Sequence, residues 1–164
     1  MKRLREGFSP IALVVASLLW ASAPALPADL AGAASSAELA TRYSQALERK
    51  DTNAYALLVC WDRVLPQERT SLVSGFASEA SGNVTDVRFL TVEQMDQAVR
   101  NAGGVTPTRT PVKRAGATFD FNLPVIGYLA YQFKSRDDKS RGTIAVPVGM
   151  KSGRYFITTR APVP

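Results

Sequence analysis

The apolar residues of this chain recur with two different periods, and the change of period falls near residue 83. Upstream, Leu39, Tyr43, Ala46 and Leu47 stand at helical spacing behind Ser35-Ser-Ala-Glu38, an N-capping pattern. They predict an amphipathic helix ending near Lys50. Asp51 or Thr52 would cap a second helix, its apolar stripe running through Ala54, Leu57, Leu58, Trp61 and Leu65. Pro66 suits the first turn of a third, with Leu72, Val73, Phe76 and Ala80 on the buried side and Gly82-Asn83 as the stop. Downstream the period becomes two. Residues 84–92 alternate as a strand, with Val87 and Phe89 opposite Asp86 and Arg88. Thr91-Val-Glu-Gln94 is a second capping box, opening a short helix that Gly103-Gly104 closes. Residues 105–118 contain Pro107 and Pro111 and no acidic side chain, and read as a long loop. A short strand at 118–122 follows, then alternating runs at 128–135 and 143–150 separated by a turn at Asp137-Asp138-Lys139. Lys151-Ser-Gly153 is a hairpin connection into a closing strand at 154–159.

Strands joined by short turns imply an antiparallel meander, and the helices are the only cover for it. The fold class is therefore α+β, with N-terminal helices packed on a curved antiparallel sheet. The interior is expected to pack around Trp61. Cys60, beside it in an apolar pattern, is expected to be a buried small hydrophobe.

Charge and composition alter this picture mainly at the start. Lys2, Arg3 and Arg5 precede an apolar run at 11–20 and a small-residue stretch with Ala23-Pro-Ala25 and Leu26-Pro-Ala28. These are the three parts of a secretory signal peptide, with cleavage expected near Ala28. The apolar run is shorter than the roughly 20 residues of a spanning helix, so membrane attachment would come only through an uncleaved signal. The chain thus divides into a signal peptide at 1–28, a flexible lead-in at 29–35 and a single α+β domain at 36–160, with a periplasmic or secreted location. Residues 1–28 carry three basic and one acidic side chain, so the formal charge of +6 falls to +4 without them. An exported chain lacking a basic, aromatic-interleaved motif is not expected to bind nucleic acid. Its single cysteine excludes an intramolecular disulfide.

Two segments carry a family likeness. Residues 37–58, Ala-Glu-Leu-Ala-Thr-Arg-Tyr-Ser-Gln-Ala-Leu-Glu-Arg-Lys-Asp-Thr-Asn-Ala-Tyr-Ala-Leu-Leu, show a helix, a break after a charged residue and a second helix of the type x-D-x-x-A-x-x-x-L. Residues 142–159 form a strand, a Lys-Ser-Gly turn and an aromatic-bearing strand. Together they resemble the ketosteroid-isomerase-like, or nuclear-transport-factor-like, superfamily, which overlaps the cystatin-like α+β rolls. The resemblance implies a sheet curled around the helices into a cone whose mouth can hold a small apolar molecule. It does not choose an activity, because the superfamily holds isomerases, dehydratases, cyclases and non-enzymatic modules. Its enzymes place an Asp or His base and a Tyr or Asp oxyanion donor in the cone.

The inventory of reactive residues is narrow. The chain has no histidine, which removes the commonest general base and all Ser-His and Cys-His nucleophiles. No Ser-x-x-Lys, Gly-x-Ser-x-Gly, phosphate-binding glycine loop or calcium loop is present, and one Cys without His argues against zinc. No cofactor and no metal are expected. Carboxylate and phenol chemistry remains: Asp120 between Phe119 and Phe121, with Tyr128 and Tyr131 after it, are the catalytic candidates. Strand alternation offers the competing reading that Asp120 points outward. Tyr43, Tyr55 and Phe76 fit core packing better than a ligand pocket. Arg109, Lys113 and Arg114, with Lys134, Arg136, Lys139 and Arg141, would meet an anionic polymer or lipid head group, or simply be solvated. The expected function is an exported non-enzymatic binding or accessory module, its partner a small apolar ligand and a homodimer compatible with it. Two alternatives stand beside it: a small-molecule isomerase or lyase using a buried carboxylate and a Tyr, and an envelope-assembly protein acting through protein contacts.

Overall fold

A computed structural model describes residues 31–137 and 141–164. The expected signal peptide, the first two residues of the lead-in and the Asp138-Lys139 part of the turn lie outside the described residues. Helix α1 (Ser36–Arg49) opens on Ser35, whose hydroxyl accepts from the Glu38 amide, and Glu38 reaches back to the Ala34 amide. Its stripe of Leu39, Tyr43, Ala46 and Leu47 is buried, and Lys50 in the left-handed region ends it. Asp51 caps α2 (Thr52–Leu58) through the amides of Asn53 and Ala54. Pro66 begins α3 (Pro66–Glu79).

The second helix is shorter than its apolar spacing predicts. Val59 is extended and bridges Ile157, and the Cys60 amide donates to the Ile157 carbonyl at 2.9 Å, so pairing to the sheet replaces the next helical turn. Trp61 and Leu65 are therefore not on a helical stripe. Trp61 is half-buried at the side of the core, where its indole N–H donates to the Ala56 carbonyl and Arg69 lies over its ring. Cys60 is buried.

Strand β1 (Asn83–Thr91) leads into α4 (Val92–Asn101) through the complete Thr91–Gln94 capping box. The 105–118 segment is not all loop. It contains β2 (Val112–Arg114) and the start of β3 (Ala117–Phe121), joined at Ala115-Gly116, both at positive φ as a tight hairpin turn requires. The chain closes with β4 (Gly127–Lys134), β5 (Arg141–Lys151), β6 (Arg154–Ile157) and β7 (Arg160–Pro162). One antiparallel sheet has the order β1-β4-β5-β6, and a smaller one β2-β3-β7. Register in the larger sheet sets Leu129 opposite Val146 and Tyr131 opposite Ile144. In β1 a bulge at Asp86, φ 62°, shifts the phase so that Val84, Val87 and Phe89 all face the core.

The larger sheet curls into a half-barrel. Its two edge strands meet through side chains, Phe89 of β1 against Tyr155 of β6 with ring centroids 6.2 Å apart. The curl needs a glycine at Gly127, where a Cβ would strike the Phe89 ring and the Leu90 carbonyl. The inner face, with Leu129, Tyr131 and Val148, packs on Leu39, Tyr43 and Ala46 of α1 and on Tyr55 and Leu58 of α2. The outer face of β4 offers Tyr128 and Ala130 to Met95 of α4. The observed fold is thus α+β, helices on a curled antiparallel sheet. Ala33, inside the expected lead-in, is fully buried and exchanges two backbone hydrogen bonds with Tyr155 of β6.

Candidate functional site

The sequence candidates are not brought together. Asp120 sits on β3 of the small sheet, half-buried, with its carboxylate accepting from the amide of Phe121 at 2.8 Å. Tyr128 faces α4 on the outer side of β4. Its hydroxyl is buried and has no hydrogen-bond partner among the described residues, and it faces the Arg109 guanidinium. Arg109 forms a bidentate pair with Asp96 at 2.8 Å, tying the 105–111 segment to α4 rather than presenting its charge as part of a basic loop. Tyr131 alone points into the inner face.

Around Tyr131 the structure assembles a group that strand alternation does not foretell. The Tyr131 hydroxyl donates to Glu79 Oε2 at 2.6 Å, and the Tyr43 hydroxyl lies 3.3 Å from the same oxygen and 3.2 Å from Tyr131 Oη. Tyr55 stacks on Phe76 at 4.2 Å and meets Tyr43 edge-on. Burial pushes the Tyr43 and Tyr131 hydroxyls far above the ordinary phenol range, reinforced for Tyr43 by Tyr131 and the Glu79 carboxylate and for Tyr131 by Glu79, against which the Tyr43 bond works. Burial takes Tyr55 up to about 12. All three are neutral donors at physiological pH.

This cluster closes one end of a cleft of about 580 Å³ between α3 and the inner face of the sheet. Helix α3 turns Glu68, Leu72, Gly75, Phe76 and Glu79 toward it, positions at one helical face, while Ile144, Val146 and Ile157 form the opposite wall. Gly75 widens the cleft, because a Cβ there would meet nothing within 4 Å. Glu68 and Glu79 are eleven residues apart, so at 1.5 Å per residue they mark points about 16 Å apart along α3. Thr158, Thr159, Arg114 and Arg160 also line the cleft. Arg160 lies over the Phe121 ring and donates to the Thr108 and Thr110 carbonyls.

A second groove, between α1 and β1, is lined by short polar side chains such as Ser36, Thr41 and Ser44. None of its lining residues carries a buried polar side-chain atom without a partner. Among the described residues no cluster of three or more metal-ligating side chains occurs, and no helix is long and apolar enough to cross a membrane. No protein-family model matches this chain, and no curated protein or solved structure matches it either.

Proposed function

We propose that this protein is an exported, non-enzymatic module that binds a small, elongated, largely apolar molecule in the cleft between α3 and the inner face of the sheet. The observation that carries this reading is the cleft itself. Its volume of about 580 Å³ falls within the roughly 300–1,000 Å³ of small-molecule sites, and its walls are mainly apolar with polar groups at the two ends. Export rests on the N-terminal pattern of basic, apolar and small residues. The helices-on-curled-sheet architecture accords with the ketosteroid-isomerase-like resemblance, within which the same cone serves binding and catalysis alike.

A proton-transfer enzyme is the second reading, favoured by a carboxylate and two phenols in one cleft. Its chemistry needs a phenol proton directed at the substrate and a carboxylate free to accept one. Here Tyr131 is committed to Glu79 at 2.6 Å, and Tyr43 bonds only within the same trio, so a substrate carbonyl would have to displace Glu79 to gain a donor. Binding requires no such rearrangement.

Gly75→Phe tests the proposal by filling the cleft with a ring from a helix that tolerates one. Nile red, a neutral apolar dye, should show saturable fluorescence enhancement with the wild type and lose it with the variant, at unchanged circular dichroism. Equal enhancement by both proteins, or none by the wild type, would remove the cleft as the binding site.

A further inference from the structure

Resting on the binding reading above, we infer that the end of the cleft where α3 begins recognises a terminal hydroxyl group, so that the ligand is a neutral, elongated alcohol. Two buried polar atoms at this end find no hydrogen-bond partner among the described residues, Glu68 Oε2 and Thr159 Oγ1. Both residues line the cleft. Buried polar groups in folded proteins are almost always paired, so two orphans at one end of one cleft call for a common explanation.

Thr159 is the more telling of the two. Only 7% of it is exposed. Its backbone is fully engaged, the amide donating to Asn122 Oδ1 at 3.1 Å and the carbonyl accepting from the Asn122 amide at 2.8 Å. Its neighbour Thr158 uses its hydroxyl as well, bonding Asn122 Oδ1 and the Leu123 amide. Only the Thr159 hydroxyl is left over, at a position where valine would pack equally well.

Asn122 also fixes where this end lies. Its side-chain amide donates to the carbonyls of Cys60 and Asp62, in the segment that leads into α3, and Glu68 occupies the first turn of that helix. The orphan acceptor and the orphan hydroxyl therefore belong to the same end.

The charges around them select the head group. A carboxylate would face Glu68, and an ammonium would face Arg114 and Arg160, which line the same cleft. A hydroxyl avoids both penalties. It donates its proton to Glu68 Oε2 and accepts from Thr159 Oγ1, satisfying the two atoms with one group. The apolar body then runs beneath Leu72 and Gly75 toward the Tyr43–Tyr131–Glu79 end, about 16 Å away along the helix.

Three probes with the same chain separate the possibilities: 1-octanol, octylamine and octanoate, each competing with Nile red at pH 7. Octanol should displace the dye at the lowest concentration. Thr159→Val and Glu68→Gln should each weaken octanol by about tenfold, the scale of one lost hydrogen bond, while octanoate is unchanged by Thr159→Val and strengthened by Glu68→Gln, which removes the like charge. Thr159→Val is nearly isosteric, so a folding defect does not confound it. Better displacement by octanoate would mean that the arginines read the head group, and better displacement by octylamine that Glu68 acts as a simple ion partner. Either result, or failure of every octyl probe, overturns the hydroxyl assignment. None of them touches the cleft-binding proposal, which the wild-type and Gly75→Phe dye titrations decide separately.

Discussion

Removing the hydroxyl of Tyr131 perturbs the polar centre of the inner face without opening a hole, since phenylalanine keeps the ring. The bond lost is an O–H donating to a carboxylate oxygen at 2.6 Å, a charge-assisted bond worth about 1.5–3 kcal/mol. Glu79 is only half-buried, so water can replace part of what it loses, which places the cost of Tyr131→Phe near the bottom of that range, about 1.5–2 kcal/mol. Tyr43→Phe removes two longer contacts, of 3.3 and 3.2 Å, and should cost less, about 0.5–1 kcal/mol. Because both phenols serve one carboxylate, the double variant should depart from additivity. Equilibrium urea unfolding at pH 7 measures all three. With a slope of about 1–3 kcal/mol per M, the Tyr131→Phe midpoint should fall by roughly 1 M at constant slope. A larger loss for Tyr43→Phe, or strict additivity of the pair, would refute the assignment of Glu79 as their shared acceptor.

Two further outcomes follow from other pairs. The Arg109 guanidinium holds the Asp96 carboxyl below its usual range, so the pair's stabilisation is present above the unfolded value of about 3.9 and lost as pH falls through the lower folded value. Asp96→Asn should therefore lower stability at pH 7 and flatten its decline below about pH 4; urea midpoints from pH 7 down to 2.5 that keep the wild-type slope would contradict this. Cys60 is buried, and that burial pushes its thiol upward, so a thiol reagent should label it only as the protein unfolds; rapid labelling under native conditions would show an accessible, reactive site.

Most of the architecture is legible in local chemistry. Ser35, Asp51 and the Thr91–Gln94 box mark helix starts in residues that make the capping contacts themselves, and Pro66 marks another by its fixed φ in the first turn. The misreadings arise where pairing with a distant strand overrides a local pattern. Val59 through Leu65 keeps an apolar spacing compatible with a helix, yet its backbone pairs with Ile157, almost a hundred residues away. The β2–β3 hairpin begins on a three-residue strand with exposed basic side chains, too short to show alternation. Glu79 escapes notice because it stands among small polar residues at the end of α3 and resembles a solvated helix residue. Its one signature is position: Glu68, Leu72, Phe76 and Glu79 share a face, which places two carboxylates on an apolar stripe. The aromatic neighbours that make Asp120 resemble a pocket carboxylate belong to the smaller sheet.

Strand β4 is buried on both faces, with Leu129 and Tyr131 in one apolar cluster and Tyr128 and Ala130 in the other. Neither cluster can melt alone without exposing one side of a strand that the other still holds. The two should therefore unravel in a single step, although their side chains never mix. Amide protons in the middle of β4, enclosed by β1 on one side and β5 on the other, would be released to solvent only when the whole domain opens. Their exchange rate then reads out the global unfolding free energy.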